Sequence, residues 1–141
     1  MGDPFELCRF VEAQSGIWQR ALAELRGGRK TSHWMWFVFP QIAGLGTSAM
    51  ARRYAISSLD EARAYLRHPV LGSRLITATH AVNAVQGRDA RAIFGSPDDL
   101  KFQSSMTLFA TAAPAEAVFA EALARYFGGA GDAATLEALA S

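Results

Sequence analysis

The sequence predicts one compact, all-α domain of about seven helices over residues 1–141. Apolar residues recur at alternating spacings of three and four, which is typical of one face of a helix. Residues that commonly start a helix, such as Ser, Asp and Pro, precede these stretches, and Gly follows them. No internal repeat, low-complexity tract or linker divides the chain. The helices are therefore expected to pack around a single core.

An aspartate followed by a proline predicts that the first helix begins at Asp3 and Pro4. Its apolar face is expected to continue to Leu25, and the pair Gly27 and Gly28 is expected to end it. One long helix is therefore predicted at the start of the chain. The residues of its apolar face are Leu7, Val11, Gln14, Trp18, Ala21 and Leu25.

Start signals also mark the later helices. Ser58 followed by Glu61 has the spacing of a capping box. Pro97, behind Ser96, stands at a first helical position, and Asp132 is a capping residue. The expected segments are 48–55, 58–66, 69–85, a short turn at 91–94, and then 97–109, 114–126 and 132–139.

Residues 30–41 differ most from the Ala-, Leu- and Arg-rich remainder, and we call them the aromatic segment; their sequence is Lys-Thr-Ser-His-Trp-Met-Trp-Phe-Val-Phe-Pro-Gln. By propensity alone Trp-Phe-Val-Phe favours a strand. A lone buried strand would leave its backbone groups unpaired, which is unfavourable. We therefore expect a short buried helix, capped by Thr31 or Ser32 and ended before Pro40.

Composition excludes several classes of protein. The net charge is +1 and the arginines are scattered, so neither a nucleic acid nor a membrane surface is an expected partner. The single cysteine, Cys8, excludes an internal disulfide and is typical of the reducing cytoplasm. The N-terminus lacks the pattern of a secretory signal. The apolar run 34–39 is far shorter than the roughly 20 residues of a membrane helix. We expect a cytoplasmic protein.

Short blocks in a distinctive order extend along the chain. They are residues 30–41, 44–48, 54–56, 61–66, 68–72, 74–75, 93–95, 99–101, 104–109 and the end region 119–136. Together they resemble the signature of a bacterial family of unknown function, DUF1810, over nearly the whole chain. The resemblance implies a small, mainly α-helical cytoplasmic protein and implies no activity. Some members carry a calpastatin-like label, but nothing in this chain resembles an inhibitor repeat.

The aromatic segment is the first candidate site. An apolar pocket with a few convergent polar groups is the usual form of a small-molecule site. Trp34 and Trp36 are candidates to stack on a planar ligand, as aromatic platforms do for nucleobases. Lys30, His33 and Gln41 are candidates to contact its polar groups. The alternative for the tryptophans is simple core packing.

Two residues of the first helix are candidates to complete this site. His33 is a candidate general base, and Glu12, close to Gln14, is the candidate carboxylate to complete an acid/base pair. Gln14 lies in an apolar stripe, where its amide needs partners. It either contacts a ligand or ties its helix to a neighbouring segment. The run 10–14 is also similar to the Phe-Gln-Ala-Gln run of the NADAR glycosidase family, offset by one residue.

A second candidate segment contains Lys101, which with Lys30 makes up all the lysine of the chain. On a helix Lys101 faces Ser104 and Ser105, at spacings of three and four. These residues are candidate ligand contacts, whereas a serine nucleophile activated by the lysine is not favoured. No His/Cys/Asp cluster has metal-ligand spacing, and no Gly-rich phosphate loop or Ser-centred elbow is present. We expect neither a metal nor a bound cofactor.

Two hypotheses follow from these residues. The first is a small-molecule site, catalytic or not, for a nucleotide or an NAD-derived compound. The second is a non-catalytic interaction or dimerisation module, in which the aromatic segment is core and a homo-oligomer is allowed. A pocket that holds His33 and a carboxylate would favour the first hypothesis. A filled core beside a flat apolar patch would favour the second.

Overall fold

The computed structural model describes residues 2–140, and within them it contains ten helices. The all-α prediction is confirmed, but the predicted number of about seven helices is too low. Seven of the ten helices have seven or more residues, and the other three are shorter. The helices are α1 (Cys8–Gln14), α2 (Trp18–Arg26), α3 (Met35–Val38), α4 (Ala49–Arg53), α5 (Leu59–Arg67), α6 (Leu71–Asn83), α7 (Ala90–Phe94), α8 (Asp98–Ala112), α9 (Ala117–Phe127) and α10 (Ala133–Ala140).

The prediction of one long first helix is wrong. The chain breaks between α1 and α2 at Gly16, whose φ of +79° lies outside the helical region. The start is also later than expected. The carboxylate of Asp3 does act as a cap, but it accepts the N–H groups of Leu7 and Cys8, each at 2.7 Å. Residues 4–7 therefore form turns, and the apolar stripe is divided between two helices.

The aromatic segment contains a helix of one turn, α3, as predicted. The predicted cap is wrong. Trp34 occupies the cap position, but its side chain makes no capping hydrogen bond to α3, and the hydroxyl of Ser32 donates to Glu24. Extended pairing in residues 2–140 is confined to one isolated parallel bridge between Ile42 and Ile56.

Helix α8 is the centre of the packing. It contacts α5, α7, α9 and α10, and α6 packs against α2, α5 and α9. The side chains of α8 are buried on several faces, and three of the buried residues are polar. The buried residues of α8 are Phe102, Ser104, Ser105, Met106, Thr107, Leu108, Phe109 and Ala112.

The capping box before α5 is only half formed. The Ser58 hydroxyl accepts the N–H of Glu61 at 3.1 Å, as predicted. The Glu61 carboxylate does not return to Ser58. It accepts the N–H and the hydroxyl of Ser57, both at 2.8 Å, and it pairs with Arg9 of α1 at 2.9 Å. The glutamate therefore ties α5 to α1, and this tie helps to place the loop before α5 beside the aromatic segment.

Candidate functional site

The two lysines of the chain meet at one carboxylate. Lys30 Nζ lies 2.9 Å from Oδ2 of Asp98, and Lys101 Nζ lies 3.2 Å from Oδ1 of the same residue. The Lys30 side chain is only 8% exposed, whereas that of Lys101 is 29% exposed. The two segments that the sequence marks as unusual are therefore joined by this three-residue ion cluster.

Each lysine of the ion cluster also covers a tryptophan of the aromatic segment. Lys30 Nζ is 5.1 Å from the ring centre of Trp34, and Lys101 Nζ is 5.5 Å from that of Trp36. Both distances are within the range of attractive cation–π contacts. The positive charge of the cluster therefore lies against the faces of both rings.

Asp98 is expected to stabilise the fold mainly through Lys30. Asp98→Ala leaves a nearly buried ammonium without its carboxylate, so we expect the free energy of unfolding to fall by about 2 kcal/mol. Lys101→Ala removes only the more exposed of the two ion pairs and should lower the free energy of unfolding by less than about 1 kcal/mol. Urea unfolding of both variants measures the difference. Equal losses would contradict a dominant role for Lys30.

Sequence reasoning missed Glu24, which organises the start of the aromatic segment. Its Oε1 accepts the N–H groups of Thr31 at 2.8 Å and Ser32 at 3.0 Å, and the indole N–H of Trp34 at 2.9 Å. Burial alone would raise the pKa of this carboxyl. The hydrogen bonds from Ser32, Thr31 and Trp34 outweigh that effect and lower the pKa to about 2. The ionised glutamate therefore holds residues 31–34 in place.

The two tryptophans of the aromatic segment have different surroundings. Trp34 is fully buried, its indole N–H is bound to Glu24, and its ring lies 6.2 Å from that of Phe39. It is a core residue. Trp36 is only half-buried, and it forms one wall of a cavity. Only Trp36 is placed to contact a ligand.

We call the space beside Trp36 the Trp36 cavity; its volume is about 150 Å³. Backbone hydrogen bonds from Ile56 to Gln41 and from Ala43 to Ile56, at 2.9 and 2.8 Å, hold one side of it. Helix α4 approaches closely, because a Cβ on Gly46 would lie 2.6 Å from that of Ala51. The lining residues are Trp36, Gln41, Ile42, Ala43, Gly44, Gly46, Ala51, Arg52, Tyr54 and Ala55.

Two polar side chains of the Trp36 cavity are uncommitted. Among residues 2–140, neither the amide of Gln41 nor the guanidinium of Arg52 has a hydrogen bond or an ion pair. Gln41 was a predicted ligand contact. Arg52 was not predicted, because an arginine in a short exposed helix has nothing in its local sequence to distinguish it. Together with the Trp36 ring they offer hydrogen bonds, a positive charge and a stacking surface.

The structure does not bring His33 and Glu12 together. His33 is exposed, and it lines neither the Trp36 cavity nor the groove that contains Glu12. That groove, of about 680 Å³, lies between the N-terminal turn, α1 and the end of α5, and it also contains Cys8. The hydrogen bond to Asp3 raises the pKa of the Cys8 thiol, which disfavours its thiolate form. No acid/base pair is therefore assembled around His33.

Gln14 forms a structural tie. Its Nε2 donates to the carbonyl of Phe37 at 2.7 Å and to the hydroxyl of Tyr65 at 3.2 Å, and its Oε1 accepts from Arg74 at 3.2 Å. Burial raises the pKa of Tyr65, so its hydroxyl stays neutral. Since every one of these partners is internal, the amide of Gln14 joins α1 to α3, α5 and α6. This is the second of the two roles considered for it.

The serines near Lys101 lie away from its ammonium. The Ser104 hydroxyl donates to the carbonyl of Leu100 at 3.1 Å, one helical turn earlier. Ser105 is fully buried, and its hydroxyl has no partner within residues 2–140. Lys101 is paired with Asp98. A lysine–serine pair is therefore not formed on this helix.

Two further kinds of feature are absent from residues 2–140. No group of three or more His, Cys, Asp or Glu side chains is arranged to hold a metal ion. No helix in this range combines the length and the apolar character needed to cross a membrane.

Fold and site together describe a helical protein with a small cavity beside one tryptophan. The chain belongs to the family described as a protein of unknown function, DUF1810, whose sequence model matches residues 4–139. It is also similar to the conserved hypothetical protein Rv1873 from Mycobacterium tuberculosis. The two sequences are 57% identical. The crystal structure of Rv1873 superimposes on this chain with a TM-score of 0.97, and the match covers 99% of each chain. No curated protein matches the chain.

Proposed function

We propose that this protein binds a small planar anionic compound, of the nucleotide or NAD-derived class, in the Trp36 cavity. The observation that carries the proposal is the combination of a half-buried indole with the uncommitted side chains of Gln41 and Arg52. An aromatic wall with a few convergent polar groups is typical of small-molecule sites.

The size of the cavity supports one ring as the inserted group. Its volume is about 150 Å³, and an engineered apolar cavity of about that size is known to hold a benzene molecule. A nucleotide is larger than this, so we propose that its base enters the cavity and that its sugar and phosphates remain outside. Binding to Trp36 would then consist of stacking, which contributes about 1–3 kcal/mol for each base.

The charge around Trp36 supports an anionic ligand. Arg52 has a free guanidinium at the cavity, and a guanidinium can bind a phosphate through two parallel hydrogen bonds. Lys101 adds a second cation over the Trp36 ring. These features support binding, and we propose no reaction, because His33 lies outside the cavity.

A second proposal, the interaction or dimerisation module, is supported by the burial of the aromatic segment. Trp34, Phe37 and Phe39 are all core residues, and Leu100 of α8 is 55% exposed. Sedimentation at several protein concentrations distinguishes the two proposals. A dimer that Leu100→Ser dissociates would support the module, and a monomer at all concentrations would exclude dimerisation.

The ligand is tested by thermal shift of the purified protein with nucleotides, NAD and ADP-ribose. A compound at a hundredfold excess over its Kd should raise the unfolding free energy by about 2.7 kcal/mol. Trp36→Ala and Arg52→Ala should each reduce this shift strongly, since they remove the stacking surface and the charge. Arg67→Ala is the matched control, because Arg67 is an exposed arginine of α5 and does not line the cavity.

The controls make the result decisive. A shift that Arg67→Ala preserves and Trp36→Ala abolishes would support the Trp36 cavity as the site. A shift that both arginine variants reduce equally would mean general charge attraction. No shift with any compound would overturn the proposal.

A further inference from the structure

A second cavity, of about 360 Å³, lies between the end of α2 and the second half of α6. None of its lining residues belongs to the aromatic segment, and none carries a carboxylate. We call it the α2–α6 cavity. It is lined by Arg26, Thr77, His80, Ala81, Ala84 and Val85.

The sequence of α6 explains why this cavity exists. Thr77 and Ala81, and likewise His80 and Ala84, are four residues apart, so all four lie on one side of the helix. The neighbouring face, with Ala78 and Val82, is buried in the core. Because the two alanines are small, they leave room between α6 and the end of α2.

The polar groups of the α2–α6 cavity are free donors. Within residues 2–140, the guanidinium of Arg26, the hydroxyl of Thr77 and the imidazole of His80 have no hydrogen-bond or ion-pair partner. By contrast, the next threonine of the helix, Thr79, donates to the carbonyl of Leu75 at 2.8 Å. The donors of the cavity are thus available to a ligand.

Two backbone carbonyls near the α2–α6 cavity accept hydrogen bonds from arginines. Arg125 donates to the carbonyl of Val85 at 2.6 Å, and Arg88 donates to the carbonyl of Gly28 at 2.9 Å. These two arginines add positive charge beside the Arg26 end of the cavity. The free donors, the nearby arginines and the lack of a lining carboxylate all favour a ligand that is rich in acceptors and negatively charged.

We propose that the α2–α6 cavity is a second binding site, which takes the phosphate groups of a small phosphorylated compound. Ionised phosphate oxygens accept hydrogen bonds, and they match the donors of Arg26, Thr77 and His80. The volume of about 360 Å³ is within the usual range of small-molecule pockets, roughly 300–1,000 Å³. The imidazole of His80 is the only ring in the lining, so recognition rests on the phosphate and not on stacking.

The test is isothermal titration calorimetry with inorganic phosphate and with pyrophosphate, at constant ionic strength. We expect saturable binding with one site, tighter for pyrophosphate because it has more charge and more acceptors. Arg26→Ala removes a charge-assisted bond and should weaken pyrophosphate binding about tenfold or more. Thr77→Val keeps the shape of the side chain and should weaken it by a smaller factor, about threefold or more.

Arg67→Ala is the matched control for Arg26→Ala. Arg67 is an exposed arginine at the end of α5, beside the opposite end of α6, and it does not line the cavity. Thr77, the first residue of α6 that lines the cavity, is six residues after Leu71, so the start of α6 is about 9 Å or more from the cavity along the helix. Both variants remove one positive charge, but only Arg26→Ala should weaken binding.

Arg52→Ala distinguishes binding in the α2–α6 cavity from binding in the Trp36 cavity, because Arg52 lines only the latter of the two. The melting temperature of every variant is measured first, to confirm that it folds. The proposal holds if pyrophosphate binding depends on Arg26 and Thr77 but not on Arg52 or Arg67. It is overturned if pyrophosphate does not bind at millimolar concentration, or if Arg26→Ala leaves binding unchanged. It is also overturned if Arg26→Ala and Arg67→Ala weaken binding equally, since that is general attraction.

Discussion

Gly72→Ala is expected to lower the free energy of unfolding by about 3 kcal/mol or more. A Cβ at this position would lie 2.0 Å from the carbonyl oxygen of Leu66 and 2.8 Å from its carbonyl carbon. Both atoms belong to the backbone of α5, so no side-chain rotation relieves the contact. The start of α6 or the end of α5 must move, and overpacking of this kind typically costs about 1–3 kcal/mol, occasionally more.

Thermal and urea unfolding measure this effect, with Gly27→Ala as the control. Gly27 has a φ of −78°, and an added Cβ would meet nothing closer than the Ala23 carbonyl at 3.4 Å. Gly27→Ala should therefore change the stability by less than about 1 kcal/mol. A similar small change for Gly72→Ala would mean that the two helices are not in such close contact. A protein that fails to fold only in the Gly72 variant would agree with the expectation.

Local sequence signals predicted the capped starts of α5 and α10, whereas α8 begins after Pro97 without the side-chain cap expected from Ser96. Ser58 and Asp132 accept the expected backbone N–H groups at 3.1 and 2.9 Å. The same signals did not reveal the break at Gly16, because the apolar spacing continues across it. They did not reveal the role of Gly72 either, since it depends on α5 and not on the neighbours of Gly72 within α6.

The candidate site was predictable only in part, for a similar reason. Rarity of lysine marked Lys30 and Lys101, but their meeting at Asp98 required the approach of α8 to the aromatic segment. Glu24 and Arg52 gave no signal, because each stands at an ordinary helical position. Their surroundings are formed by residues outside their own helices. Residue types can mark unusual segments, whereas the partners of a side chain depend on the tertiary fold.

Glu24→Ala is expected to lower the free energy of unfolding by about 3 kcal/mol. The substitution removes the acceptor for Thr31, Ser32 and Trp34 together. Hydrogen bonds to charged groups contribute about 1.5–3 kcal/mol each, and water replaces part of that at a partly exposed site. Urea unfolding gives the loss, and near-ultraviolet circular dichroism reports whether Trp34 keeps its fixed environment. Arg20→Ala, at the 67% exposed partner of Glu24, should cost less than about 0.5 kcal/mol.

The contribution of the Glu24 charge is expected to depend on pH. Its pKa is lowered from the ordinary 4.5 to about 2, so the folded state favours the ionised form. The stabilisation, about 2 kcal/mol, is therefore complete above about pH 5 and is lost as the pH falls from 4.5 towards 2. The stability difference between the natural protein and Glu24→Gln should shrink over this range. If the stability difference were as large at pH 3 as at pH 7, it would arise from the shape of the side chain and not from its charge. A difference that shrinks as the pH falls would show that the ionised carboxylate of Glu24 holds residues 31–34 in place.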